Sequence, residues 1–502
     1  GDNNVAIGSN TMQEMTAGAW GMVGVGVGAL QKVNHADSVG STAVGYFALN
    51  ANVSAIGNTA VGHQALKVNV DGDHSTAVGF EALKAQTGTA GEVANTAVGY
   101  QAGLAITTGI QNTALGSGAL KVSDDGSANT AIGSFTMGVG NAGSSNTAVG
   151  GQCLVDVTGN NNVAVGFQTL FDLTSGGENI GIGHSAGKLM NGAEAGNTII
   201  GIGSMTDANN DSTAKNVAVG NYTLNDIGTN AQVGLVAIGY EALRLLTSGL
   251  RNTAVGYTSG YFATTADNST FIGYQAGLGV TGAKLTGNDN TAIGKDAGIG
   301  LQGAAHSNTF VGSRAAFRAT NTGVENTIIG YNNALSGNTG TNQVVIGNNL
   351  AATKDNAVFI GNDSSHIEND FNADATWNHS SDVRQKKEIQ NETLGLDFIN
   401  TIRPVKYKHK SPSEFPKEWT AYNSDDKEPM GGDKVIHGLI AQEVKESLDK
   451  QGIDTFGGWS ESTDGRQMVS FDAFVTPLIK AVQELTEKNK SLEKRLEELE
   501  NK

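Results

Sequence analysis

One cysteine, five prolines and 6% aromatic residues in 502 positions leave little of what usually ties a chain into a globule. Cys153 alone can close no intrachain disulfide, so stability must come from packing and assembly, and its expected role is that of a small buried residue. Charge is sparse as well, at 16%. A disordered chain carries denser charge and less apolar material than the 38% found, which excludes that class. Basic residues are the scarcer sign, 32 Lys and Arg against 49 Asp and Glu, and a net charge of −17 without a Lys/Arg cluster in the repeats argues against a nucleic-acid partner. No apolar run is long enough for a bilayer and no basic-then-apolar segment opens the chain, so neither membrane insertion nor an export signal is expected. Gly1 stands where Met would begin a chain, which leaves room for a preceding piece.

What is abundant is glycine, 69 residues, without the Gly-X-Y period of collagen. A pattern Asn-Thr-Ala-Val-Gly-x-x-Ala-Leu recurs, as in Ser41–Leu49, Asn95–Leu104, Asn146–Leu154 and Asn252–Gly260. Its glycine returns 21 times, from Gly8, Gly26 and Gly45 through to Gly347 and Gly361, in steps mostly of 17 to 19 residues. A helical hairpin repeat needs more than about 30 residues, so each step fits one coil of two short strands and two turns, a β-solenoid rung.

Within a rung, Thr-Ala-Val-Gly alternates at period two, and small Ala and Gly suit a narrow core that larger side chains would overfill. The opening Asn is expected to stack into an amide ladder that fixes register. The motif glycine is expected to supply a turn or a positive φ, and the variable halves, such as Lys67–His74 or Lys121–Ala128, to form surface loops and the contact surface. At about 4.8 Å per rung the shaft would be roughly 100 Å long. A single coil buries too little apolar surface, and three coils around one axis would cover its remaining faces, so a homotrimer is expected. The Asn-Thr-Ala-Val-Gly and Asn-Val-Ala-Val-Gly rungs resemble the left-handed β-roll head repeats of trimeric autotransporter adhesins, and phage tail-fibre repeats, over most of Gly1–Asp363. The adhesin repeat is shorter, about fourteen residues.

From Asn356 the repeat fades and Pro404, Pro412, Pro416 and Trp419 appear with more Lys and Glu. Ser381-Asp382-Val383-Arg384-Gln385-Lys386-Lys387-Glu388-Ile389 is followed by Leu394-Gly395-Leu396, Arg403-Pro404-Val405-Lys406-Tyr407, Gly438-Leu439-Ile440-Ala441-Gln442-Glu443-Val444 and Leu478–Leu485. This ordered set, about Ser381 to Leu485, resembles the endosialidase-type intramolecular chaperone, the peptidase S74 family of phage tail spikes and fibres. The resemblance implies a trimeric domain that helps fold the fibre ahead of it and then releases itself by cutting at a serine. It implies Ser381 as nucleophile, Lys386 as general base, Ser380, Ser381 and Asp382 as the cleavage junction, and Asp382, Arg384, Gln442 and Glu443 as supporting residues. Gln385 departs from it, standing where that family has an apolar residue, and Lys387 adds a second lysine.

The chemistry is consistent with those roles. A serine hydroxyl is inert until a base takes its proton, and a lysine can do so only in its neutral form; Arg384 and Lys387 nearby are expected to help. Five residues apart is not one helical face, so Ser381 and Lys386 must meet through a turn or across chains, in a site that only correct packing dehydrates. Ser381 can attack the Ser380 carbonyl through a five-membered ring, whereas its own carbonyl within one chain requires a strained four-membered ring; an attack across chains leaves the bonds on both sides of Ser381 open to cleavage. Phe471, Val475, Leu478, Val482, Leu485, Asn489, Leu492, Leu496 and Leu499 alternate steps of four and three, a coiled-coil seam in which Asn489 can fix register.

Other motifs have ordinary explanations. Gly24–Gly28 and Gly181–Gly183 fall on rung positions and lack dinucleotide-loop spacing. Asp207–Asp211 lacks the Gly and distal Glu of a calcium loop, and His63 and His184 sit at variable rung positions, so no metal or cofactor is expected. The fold expected is mainly β: a trimeric β-solenoid shaft of about 21 rungs (1–363), a junction (364–380), a small α+β chaperone and autoprotease-like domain (381–470) and a coiled-coil helix (471–502). The function expected is that of a virion tail fibre that meets a host receptor or glycan and other tail proteins. A cellular trimeric adhesin or filament subunit is the alternative, and a glycosidase spike ranks last for want of paired carboxylates.

Overall fold

The computed structural model describes residues 3–501 apart from 17, 89–90, 211, 229, 319, 372–377, 380, 418, 420–421 and 430–434. The chain forms two compact units, Gly1–Ser380 and Ser381–Lys502.

In the first unit, strands of three residues, Thr42–Val44, Thr59–Val61, Thr76–Val78 and their successors, pair parallel and in register, each with its copy in the next turn. The ladder runs from Val5–Ile7 to Ala357–Asn362, a β-solenoid of about 21 turns. It continues into the residues expected as a junction, because Ser365–Asp370 folds back antiparallel on Ala357–Asn362. A second ladder is not sustained. The variable halves differ in length from turn to turn; there, among the described residues, strand pairing shrinks to single bridges, such as Ala195–Ala214 and Ala214–Val233, or the two-residue pair Gly72–Asp73 with Gly91–Glu92, and isolated backbone hydrogen bonds such as Val70 N–H to the Thr87 carbonyl join the turns.

The strand Ala points into a core column and is wholly buried from Ala43 to Ala292, as are the leucines that close the motif, Leu49, Leu66, Leu83 and Leu120 among them. Cys153 occupies one of the small-residue positions, buried, and burial pushes its thiol pKa up. The column also admits large residues, contrary to expectation: Phe271 and Phe310 replace the strand Ala. Space comes from glycines at the leucine position, since a Cβ on Gly277 would lie 2.1 Å from the Phe271 ring and one on Gly298 2.9 Å from that of Phe310. Volume is conserved between neighbouring turns, as close packing demands.

All 21 motif glycines have φ between +120° and +159°. A Cβ on any of them but the last, Gly361, would strike the carbonyl oxygen of the next motif glycine, at 2.2 Å from Gly256 to Gly273. The glycines form a backbone-on-backbone stack that no side chain can enter. Other corners use left-handed residues that are not glycine, such as Gln64, Leu66 and His74 in one turn. Their amides are tied to adjacent turns, Leu66 to the Ala82 carbonyl and His74 to that of Ile56, so stacking holds the strained conformation.

The asparagine ladder is present, in a form richer than side chain to side chain. Asn146 Oδ1 accepts the Asn162 backbone N–H at 2.9 Å, and Asn146 Nδ2 donates to the Gly159 carbonyl at 2.9 Å. Amide-to-amide bonds such as Asn162 Nδ2 to Asn146 Oδ1, 3.1 Å, add to these. Each buried asparagine thereby satisfies backbone groups of the following turn.

The second unit gathers Leu394, Phe398, Val444, Leu448 and Phe474 into one small core. Helix α1, Leu396–Thr401, and helix α2, Ala441–Lys450, flank a strand pair, Val405–Tyr407 with Ile436–Gly438. A hairpin, Trp459–Glu461 with Gln467–Val469, and a 3-10 turn, Phe471–Phe474, lead into helix α3, Val475–Glu500. Glu484 of α3 accepts the Leu396 N–H at 2.8 Å, satisfying an amide at the start of α1.

Candidate functional site

The segment that opens the second unit is short and turn-forming. Asp382 caps a 3-10 turn, Val383–Gln385, its Oδ1 accepting the Arg384 N–H at 2.9 Å. The turn reverses the chain enough for Lys386 Nζ to donate to Ser381 Oγ at 2.6 Å. The two residues expected as base and nucleophile therefore meet within one chain, through a turn. Both side chains are exposed to solvent.

The Arg384 guanidinium reaches Asp382 rather than the serine, with Nε 3.0 Å from Oδ1. That bond, with the Arg384 N–H, holds the Asp382 carboxyl below its ordinary pKa. Much of the positive charge expected beside the dyad is consequently compensated. Ser380, the acyl side of the expected junction, lies outside the described residues.

Gln442 and Glu443 are placed elsewhere. Glu443 forms an ion pair with Arg403, which holds its carboxyl below the ordinary range. The strand Val405–Tyr407 runs beside Ile436–Gly438, so the Arg-Pro-Val-x-Tyr and Ala-Gln-Glu-Val motifs come together although 40 residues separate Arg403 from Glu443. They border a cleft of about 810 Å³ that Gln442 also lines. Neither the cleft nor the Glu484 contact to α1 is signalled by spacing; opposite charges in two ordered motifs were the one available hint.

Residues 381–453 match the family described as the chaperone of endosialidase, peptidase S74. The second unit carries a chaperone-of-endosialidase domain. The match starts at Ser381, where the compact unit also starts, and ends before the heptad helix. No curated protein and no solved structure matches the chain. The chaperone domain suggests a folding and trimerisation role in a fibre-like β-solenoid protein.

Proposed function

We propose that the protein is a homotrimeric fibre, of the kind virion tails present to a host surface, folded by its C-terminal chaperone domain and released from it by self-cleavage. The observation that carries the reading is a coincidence at one residue: Ser381 begins the compact unit, begins the family match and receives the Lys386 ammonium nitrogen at 2.6 Å. A cut there would part the solenoid from its helper without severing either.

Lys386, once neutral, takes the Ser381 Oγ proton as Oγ attacks the Ser380 carbonyl carbon. The C–N bond to Ser381 breaks, its nitrogen leaving with a proton, and an ester joins the Ser380 acyl group to Oγ. Water then hydrolyses the ester, leaving a carboxylate on Ser380 and a free amine on Ser381. In a single chain the dyad is bathed in water; assembly supplies the dehydration the reaction needs.

Trimerisation has its own support. The outward third residue of the rung strand is Val, Ile or Leu, and at 11 turns, from Ile7 to Ile360, it is 37% to 59% exposed. Such a column is the kind of surface that partner copies would cover, which supports the reading. Denaturing gels of purified trimer provide the test: wild type resolves into shaft and C-terminal fragment, Ser381→Ala stays whole, and Lys386→Ala is cleaved about a hundredfold more slowly or not at all. A wild-type trimer that remains full length overturns self-release.

A further inference from the structure

The cleft is built by the domain's two ordered motifs and mixes polar with apolar lining, yet neither Ser381 nor Lys386 lines it. Leu439, Val469 and Phe471 supply apolar lining, and among the described residues its charged lining is Arg403, already paired with Glu443, and Lys406. Meanwhile the arm from Lys386 to Leu394 forms no helix or strand, and Ile389 on it is 66% exposed. Glu388 beside it takes a left-handed conformation, φ 55°, which costs an ordinary residue about 1 kcal/mol or more. Among the described residues, neither Glu388 nor Lys406 has an ion-pair partner. The apolar part of the cleft matches an exposed isoleucine in character, and Lys406 matches Glu388 in charge.

We propose that the cleft receives the arm of a second copy, with Ile389 against Leu439, Val469 and Phe471 and Glu388 on Lys406. The occupant is a second copy because the cleft and the heptad seam are continuous: Phe471, 57% exposed, both lines the cleft and is the first residue of the seam that continues through Val475 and Leu478. Copies joined along α3 carry a neighbour to the edge of each cleft. Docking at Glu388 and Ile389 fixes the dyad, two residues upstream at Lys386, against a neighbouring protomer. This consequence rests on the self-release reading, whereas the docking does not.

The test is a disulfide between chains. In a full-length Ser381→Ala background, which cannot cleave, Glu388→Cys and Lys406→Cys are introduced together; both sites are exposed, and the native Cys153 is buried. Oxidation is expected to give covalent dimers and trimers on a non-reducing denaturing gel, and neither single variant should. A disulfide confined to monomers, or none, overturns the proposal. In the cleaving protein, Lys406→Glu should slow fragment release roughly tenfold and Glu388→Lys added to it should restore the rate. Interchain disulfides in a protein whose wild type never cleaves leave docking intact and remove self-release. Cleavage without interchain disulfides removes docking alone.

Discussion

A glycine at φ +144° with another backbone 2.2 Å from its missing Cβ has no tolerated substitute. Gly256→Ala must either strain its own dihedrals or push the Gly273 turn away, and the two effects together should cost about 3 kcal/mol or more. In a stacked structure the damage is shared with both neighbouring turns, so chemical denaturation should reveal early loss around that turn. Asn146 is a different case, because its loss leaves groups unsatisfied rather than atoms overlapping. Asn146→Ala strands the Asn162 N–H and the Gly159 carbonyl in a buried place, at a cost of about 2 to 4 kcal/mol. Hydrogen exchange should show the Asn162 amide losing protection before those several turns away. Both roles were partly legible in the sequence, since a glycine in register and an asparagine in register each imply one constant environment. The left-handed leucines such as Leu66 and Leu83 were not legible, for nothing in a leucine announces a positive φ that only the completed stack enforces.

Among the elements, the contact of α3 with α1 is exposed to pH. The Glu484 carboxyl lies below its ordinary pKa, first because the Leu396 N–H donates to it and further because of Lys480. A depressed carboxylate pKa contributes stability that is present above the unfolded value, about 4.3, and is lost as pH falls through the folded value. The thermal midpoint of the second unit should therefore fall on acidification below about pH 4, and Glu484→Gln should lower it at neutral pH while flattening that dependence. A variant with an unchanged acid profile would show that the contact carries nothing. The heptad spacing announced α3, because period is a local property of sequence. Its attachment was hidden, because Glu484 lies on the polar side of that period, where a carboxylate ordinarily means only a solvated face.

At the scale of the whole molecule the difficulty is register. Nearly every turn offers its neighbours the same Asn-Thr-Ala-Val-Gly strand, so in the proposed trimer chains aligned one turn out of step still match along that strand and lose contacts at their ends, in the unequal variable halves and at marked turns such as those of Phe271 and Phe310. A shaft left to assemble by its own contacts can be trapped in such slipped states, which are also open to further chains. The tail helix can set the alignment, since Leu492, Leu496 and Leu499 are 58% to 68% exposed in the single chain and unable to satisfy themselves. A polar seam residue, Asn489, makes offset helices poorer still by burying its amide against leucine. Leu492→Asp with Leu496→Asp should leave the folded single chain intact, because both positions face water there. It should nevertheless abolish the homogeneous trimer in analytical ultracentrifugation, giving monomer and a broad distribution of larger species, and self-cleavage should fail with it. Homogeneous trimers from this variant would place the alignment signal in the shaft, and the marked turns at Phe271 and Phe310 would then be the place to look for it.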